Sequence, residues 1–284
     1  MIMENKTPEM YHSNDMIYHY TSTEKALGKI LPTKKLRFSL RKESADPIEN
    51  LNPLFSFSTN GEQNSILNEY ANEIKDDIKE YIGKTKQLCF CKNNKDARSG
   101  ISSPDNENLA FLKPRMWDQY GDKYKGVCLA FSLEELKKKA TRNVFHDDID
   151  YIKYNDMSIR HQSINLREIS EIGKEEYFKK YFEYFKKRLF DKHFDYINEN
   201  EYRFCSFDTE EIDISNALKG IIIMGNGLNR NLLGSFKSIS ESFYNNVDIR
   251  LLSLKNSYNI SHIDSILNIE ESVKIELGKL KQSK

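Results

Sequence analysis

The spacing of apolar and polar positions switches repeatedly between the two-residue period of a strand and the longer period of a helix. Ile17-Tyr18-His19-Tyr20-Thr21-Ser22, a short amphipathic stretch and Lys35-Leu36-Arg37-Phe38-Ser39 read as strand, helix, strand. The expected spans are a strand over 16–21, a helix over 23–31 and a strand over 35–39. Pro32 is read as the helix end because it cannot donate the next backbone bond. Over 62–82, Ile66, Leu67, Tyr70, Ile74, Ile78 and Ile82 fall on one helical face. A short strand is expected at 87–91, a helix at 109–120 with Pro114 as a kink, and a strand at 126–131. That strand feeds a helix over 133–140 capped by Ser132. Further strands are expected at 150–154, 200–207, 220–224, 247–252 and 257–263, with helices at 158–195 and near 228–237. Within 158–195, Tyr177, Phe178, Tyr181, Phe182, Phe185 and Phe190 form an aromatic stripe that reads as core packing.

Short strands and helices out of strict alternation predict an α+β fold, with small mixed or antiparallel sheets around a cleft and helical insertions. No stretch has a linker composition strong enough to divide the chain. Residues 16–265 therefore read as one domain with a helical insertion at 158–195, after a loose lead-in over 1–15 and before a polar tail over 266–284. Residues 40–60, containing Asp46-Pro47-Ile48-Glu49, and residues 92–106 read as irregular loops.

Composition narrows the function. The 284 residues carry 43 Lys plus Arg and 43 Asp plus Glu, so no global basic field draws in nucleic acid, although a local basic groove stays open. The longest apolar run, Ile221-Ile222-Ile223-Met224, is far shorter than the roughly 20 residues of a spanning helix. The first residues lack a signal-peptide plan, which reads as a cytoplasmic protein without a membrane partner. Cys89, Cys91, Cys128 and Cys205 lack zinc-knuckle spacing and read as reduced thiols packed in strands, so no metal is expected.

Three constellations carry candidate chemistry. On the first strand, His19 and Thr21 share one face and Tyr18 and Tyr20 the other. A histidine and a hydroxyl at a sheet edge can hold the sugar and amide of a nucleotide. If the strand bearing Arg37 and Ser39 is its neighbour, all four polar residues face one cleft; the alternative for His19 is a structural hydrogen bond. The second constellation runs from Lys192 through Tyr196, Glu199 and Glu201 to Arg203. With 199–204 extended, Glu199, Glu201 and Arg203 lie on one face, either as an exposed ion ladder or as a catalytic carboxylate held by an arginine. Such a carboxylate can accept a hydrogen bond from a ribose hydroxyl and stabilise an oxocarbenium-like transition state. The third is Met116-Trp117-Asp118-Gln119-Tyr120-Gly121 before Gly126. There Trp117 is a core anchor, or Trp117 or Tyr120 stacks on a base or nicotinamide. His146-Asp147-Asp148 reads as a solvated loop, Gly225-Asn226-Gly227 as a turn, and no dinucleotide fingerprint, P-loop or nucleophile elbow occurs.

Taken together, Tyr18-His19-Tyr20-Thr21-Ser22, Leu36-Arg37-Phe38-Ser39, Asp46-Pro47-Ile48-Glu49, Met116 to Tyr120 with Gly126-Val127-Cys128, and Lys192 to Arg203 resemble the bacterial domain of unknown function 2971. The resemblance runs from about 17 to about 255. It departs from the family pattern at Cys91, where a serine is expected, and at Tyr196, where a tryptophan is usual. The opening strand, helix and strand also resemble those of ADP-ribosyltransferases, including DNA-modifying toxins. That second resemblance implies NAD as substrate, His19 as the ribose contact, Glu201 or Glu199 as the catalytic acid, and Arg37 or Arg203 at the phosphates. It implies an ADP-ribosyltransferase or NAD glycohydrolase, a toxin or antiphage effector, whose acceptor is a protein, a nucleic acid or water. The alternatives are a nucleotide or nucleic-acid sensor without turnover, and a metal-independent nuclease-like effector using His19, Lys192 and Glu201. The oligomeric state stays open.

Overall fold

A computed structural model describes residues 8–44, 56–58, 65–94, 109–153, 163–224, 230–244, 247–254 and 263–268. The fold is α+β, with several sheets and helices. Two compact units are distinguished, residues 1–36, 89–140 and 211–284, and residues 37–88 and 141–210. Each is assembled from segments distant in sequence. That is why no linker composition marks the division: the chain crosses inside ordinary elements, including the strand Lys86–Lys92.

The first unit is built on a sheet whose strands run, in spatial order, Ile263–Asn268, Asp248–Leu254, Leu218–Met224, Val127–Ser132, Met16–Thr21 and the end of Lys86–Lys92. Leu218–Met224 and Asp248–Leu254 are parallel; the other pairs are antiparallel. All six residues of Val127–Ser132 are buried, as a strand covered on both faces requires. Strand alternation sends Tyr18 and Tyr20 into a core with Trp117 and Phe111. The Tyr18 hydroxyl donates to the Tyr11 carbonyl at 2.9 Å and the Tyr20 hydroxyl to the Ala110 carbonyl at 2.6 Å.

The helix after the first strand departs from expectation at Pro32. Ser22 caps it, its Oγ accepting the Lys25 N–H at 3.2 Å. Thr23–Lys25 is α-helical, Ala26–Ile30 widens into a π-helix, and Leu31–Thr33 closes it. Pro32 sits inside the last turn, and Lys34, at φ 57°, ends the helix. Pro114 likewise opens the helix Pro114–Gln119 instead of kinking it, because a first-turn position has no N–H to lose.

That helix reaches Val127–Ser132 through a left-handed turn. Asp122, Lys123 and Tyr124 all have positive φ, between 50° and 67°. The Gly126 N–H donates to the Gly121 carbonyl at 2.8 Å. A Cβ on Gly126 would lie 2.2 Å from the Thr21 carbonyl oxygen and 2.8 Å from that of Gly121, both backbone atoms.

In the second unit, Val144–Asp148 pairs antiparallel with Glu201–Ser206, so His146-Asp147-Asp148 lies on a strand and not in the expected loop. Asp150–Ile152 runs parallel to Asp191–His193, and Ser56–Ser58 parallel to Ser163–Asn165. The expected helix over 158–195 is broken at Gly173, whose φ of 85° interrupts it into Leu166–Ile172 and Lys174–Arg188. The aromatic stripe is core, as expected: Tyr177, Tyr181 and Phe185 pack with Ile74 and Ile78 of the helix Ser65–Lys84. The stretch 35–39 divides at Phe38 into Lys35–Arg37 and Ser39–Leu40, which take different partners. Asp46 to Glu49, Gly225 to Gly227 and the tail over 269–284 lie outside the described residues.

The Gly126 contacts set a stability test. Gly126→Ala lowers stability by about 2–3 kcal/mol, because rigid backbone on two sides must move. Gly28→Ala, in an open position of the π-helix, is neutral or stabilises by up to about 1 kcal/mol. Thermal and urea unfolding of the two variants measure the contrast.

Candidate functional site

The sequence of the Glu201 strand brings four charged side chains together below the surface of the second unit. Asp191–His193 places Lys192 inward, and the 3-10 helix Phe194–Glu199 ends with Glu199 buried. Asn200, in the left-handed region at φ 47°, then turns the chain into Glu201–Ser206. Lys192 Nζ donates to Glu199 Oε2 at 2.7 Å and to Glu201 Oε2 at 2.9 Å. Arg203 Nε donates to Glu201 Oε1 at 2.6 Å, and its Nη1 to the Leu189 carbonyl at 2.9 Å. Arg41 Nη1 reaches the same carbonyl at 3.2 Å. Two carboxylates are thus matched by two cations.

This network is no surface ladder: Lys192, Glu199, Glu201 and Arg203 are 7%, 3%, 4% and 0% exposed. A lone charge at such depth costs several kcal/mol, and geometry of this quality is what offsets it. Both Glu201 oxygens are engaged. Two tyrosines complete the network, of which Tyr151 was not anticipated from sequence. Tyr151 fixes the Glu201 backbone, its hydroxyl accepting the Glu201 N–H at 2.8 Å. Tyr196, a member of the constellation read from the sequence, lays its ring 4.7 Å from Lys192 Nζ. Tyr151 was legible only as an apolar position in a short strand.

In the first unit, His19 and Thr21 do share a strand face. His19 Nδ1 lies 3.0 Å from the Cys89 carbonyl, and a carbonyl can only accept, so Nδ1 carries the proton and Nε2 is left as an acceptor. The His19 ring packs against Phe90, with centroids 5.7 Å apart. Burial and the nearby Lys25 ammonium lower its pKa, against the opposing effect of the Cys89 carbonyl. Thr21 is 94% buried, and its hydroxyl has no hydrogen bond among the described residues.

The remaining candidates separate. Tyr20 and Trp117 belong to the core: their rings cross edge to face at 5.1 Å, and Trp117 Nε1 donates to the Phe111 carbonyl at 2.8 Å. With no exposed face, Trp117 is the core anchor of the two readings and not a stacking platform. Tyr120 is half-buried and packs on the same core. Arg37 and Ser39 are exposed. Their segments are not neighbours of the His19 strand, whose partners are Val127–Ser132 and Lys86–Lys92, so the four-residue cleft does not form by strand pairing. His146 Nδ1 lies 2.8 Å from the Tyr202 hydroxyl. No group of three or more potential metal ligands occurs among the described residues, and none of the four cysteines forms a disulfide. No described helix is long and apolar enough to cross a membrane.

Residues 116–204 match the model of a family described as protein of unknown function (DUF2971), which supports the resemblance found in the sequence. The match takes in Trp117, Lys192, Glu199, Glu201 and Arg203, and leaves the His19 strand outside. No curated protein and no solved structure matches the chain.

Two measurements follow. Lys192→Met removes one ion-pair partner from each of two buried carboxylates and loses about 3–5 kcal/mol in urea unfolding. Adding Glu199→Gln restores part of that loss, since the two sites are coupled. For His19, a folded pKa below the ordinary value near 6.5 means that the unfolded chain binds the proton more tightly. Its contribution to stability is complete above about pH 6.5 and declines as pH falls below it. Wild type therefore loses more stability between pH 7 and 5 than His19→Gln, as read from urea midpoints across that range.

Proposed function

We propose that the chain consumes NAD, as an ADP-ribosyltransferase or NAD glycohydrolase. One observation carries the reading: a histidine acceptor and a threonine hydroxyl, neither bonded at the free atom, stand two residues apart on an apolar strand face. Polar atoms so placed are available to water or to a ligand. A ribose diol satisfies them, one hydroxyl donating to His19 Nε2 and the other exchanging a hydrogen bond with Thr21.

Glu201, in the second unit, supports the same class of chemistry by its own geometry. Its carboxylate is oriented by Arg203 and Lys192 before any substrate binds, which is how a charge stabilises a transition state without reorganising. As the C1′–N1 bond breaks, nicotinamide leaves with the bonding pair and positive charge develops at C1′. A carboxylate held as Glu201 is can offset such a charge through a ribose hydroxyl. Water or an acceptor hydroxyl adds at C1′, and its proton goes to a carboxylate base. Nicotinamide requires no proton to leave, so an ionised carboxylate suffices.

A second reading, nucleotide sensing without turnover, draws on the depth of the network. Four charged groups at most 7% exposed also suit a rigid support.

Nicotinamide release distinguishes the two. Purified chain is incubated with NAD and cell lysate, and nicotinamide is followed by chromatography. Wild type releases it, Glu201→Gln is slowed at least about a hundredfold with its circular dichroism unchanged, and His19→Ala raises KM. NAD binding without release selects the sensor, and a Glu201→Gln rate equal to wild type removes Glu201 from the chemistry.

A further inference from the structure

Tyr151 stands where the buried network reaches toward solvent. It lies on Asp150–Ile152, opposite Lys192 in the parallel register. Its hydroxyl oxygen accepts the Glu201 N–H, which directs the hydroxyl hydrogen elsewhere, and no described residue accepts that hydrogen. Tyr151 is half-buried, whereas the four charged groups are enclosed.

We propose that Tyr151 is the ligand-facing donor of this site and gives its phenol hydrogen to an uncharged acceptor oxygen, the carboxamide carbonyl of the nicotinamide ring. The assignment rests on the NAD reading and adds to it the atom that recognises the leaving group. Three points favour it. The oxygen is held by a backbone donor on the same strand as the carboxylate, so donor and carboxylate keep a fixed separation. Burial is the main reason the phenol holds its proton more tightly than usual; the Glu201 and Glu199 carboxylates add to this, against the Glu201 N–H and Lys192. With Lys192 and Arg203 matching the two carboxylates, the group has no net positive charge to draw an anionic oxygen in preference to a neutral carbonyl. A neutral hydrogen bond of this kind distinguishes ligands that carry the carbonyl from those that lack it.

Calorimetry of NAD and of ADP-ribose, which lacks nicotinamide, on wild type and Tyr151→Phe tests the assignment. NAD affinity falls roughly tenfold in the variant while ADP-ribose affinity holds within about twofold. Equal loss for the two ligands means a purely architectural tyrosine and overturns the proposal, as does unchanged NAD affinity. A wild-type chain that binds neither ligand overturns the NAD reading and this assignment with it. Should Tyr151→Phe fail to fold, 3-fluorotyrosine at 151 keeps the Glu201 contact and strengthens the donor. It raises the preference for NAD over ADP-ribose, and an unchanged preference overturns the proposal.

Discussion

Burying ions in a protein interior is permitted only where each finds a partner, and the second unit is arranged around satisfying that condition for Glu201. Its carboxylate takes one hydrogen bond from Arg203 and one from Lys192, while its backbone N–H goes to Tyr151 and its carbonyl accepts from Ile149 at 3.0 Å. Those partners come from three separate stretches of chain. Displacing any of them exposes a charge or a backbone group to a low-dielectric interior, so the strand ends, the left-handed residue at Asn200 and the short 3-10 helix are all held to one geometry. A carboxylate fixed in this way is oriented before a ligand arrives.

The first unit solves a different problem. Its sheet is apolar on both faces along Val127–Ser132, and most of its polar atoms close on themselves: Tyr18 on Tyr11, Tyr20 on Ala110, Trp117 on Phe111. Against that background the open valence of His19 and the unbonded hydroxyl of Thr21 stand out.

Much of the element pattern was legible. The period of the Ser65–Lys84 helix, the cap at Ser132 and the charges from Lys192 to Arg203 are written in short stretches of sequence. The misreadings have specific causes. Pro32 and Pro114 look like breaks, but Pro114 in a first turn loses no bond, and Pro32 sits within the closing turn Leu31–Thr33 that Lys34 ends. Gly173, unremarked in a long helical pattern, is the residue that interrupts it. His146-Asp147-Asp148 looks like a solvated loop by composition and becomes a strand because Glu201–Ser206 offers it a ladder.

By itself, the sequence determined which residues face together along a strand or helix, because that depends only on the local period: His19 with Thr21, Tyr18 with Tyr20, Glu201 with Arg203. Tertiary structure alone decided which of those faces lie buried and what they meet. It turned an apparent ion ladder into an enclosed network, committed Trp117 to the core, gave Lys35–Arg37 and Ser39–Leu40 different partners, and brought Tyr151 to the Glu201 backbone. Hydrogen bonds and ion pairs act over about 3 Å between atoms that can be 50 residues apart, and no local period encodes that distance.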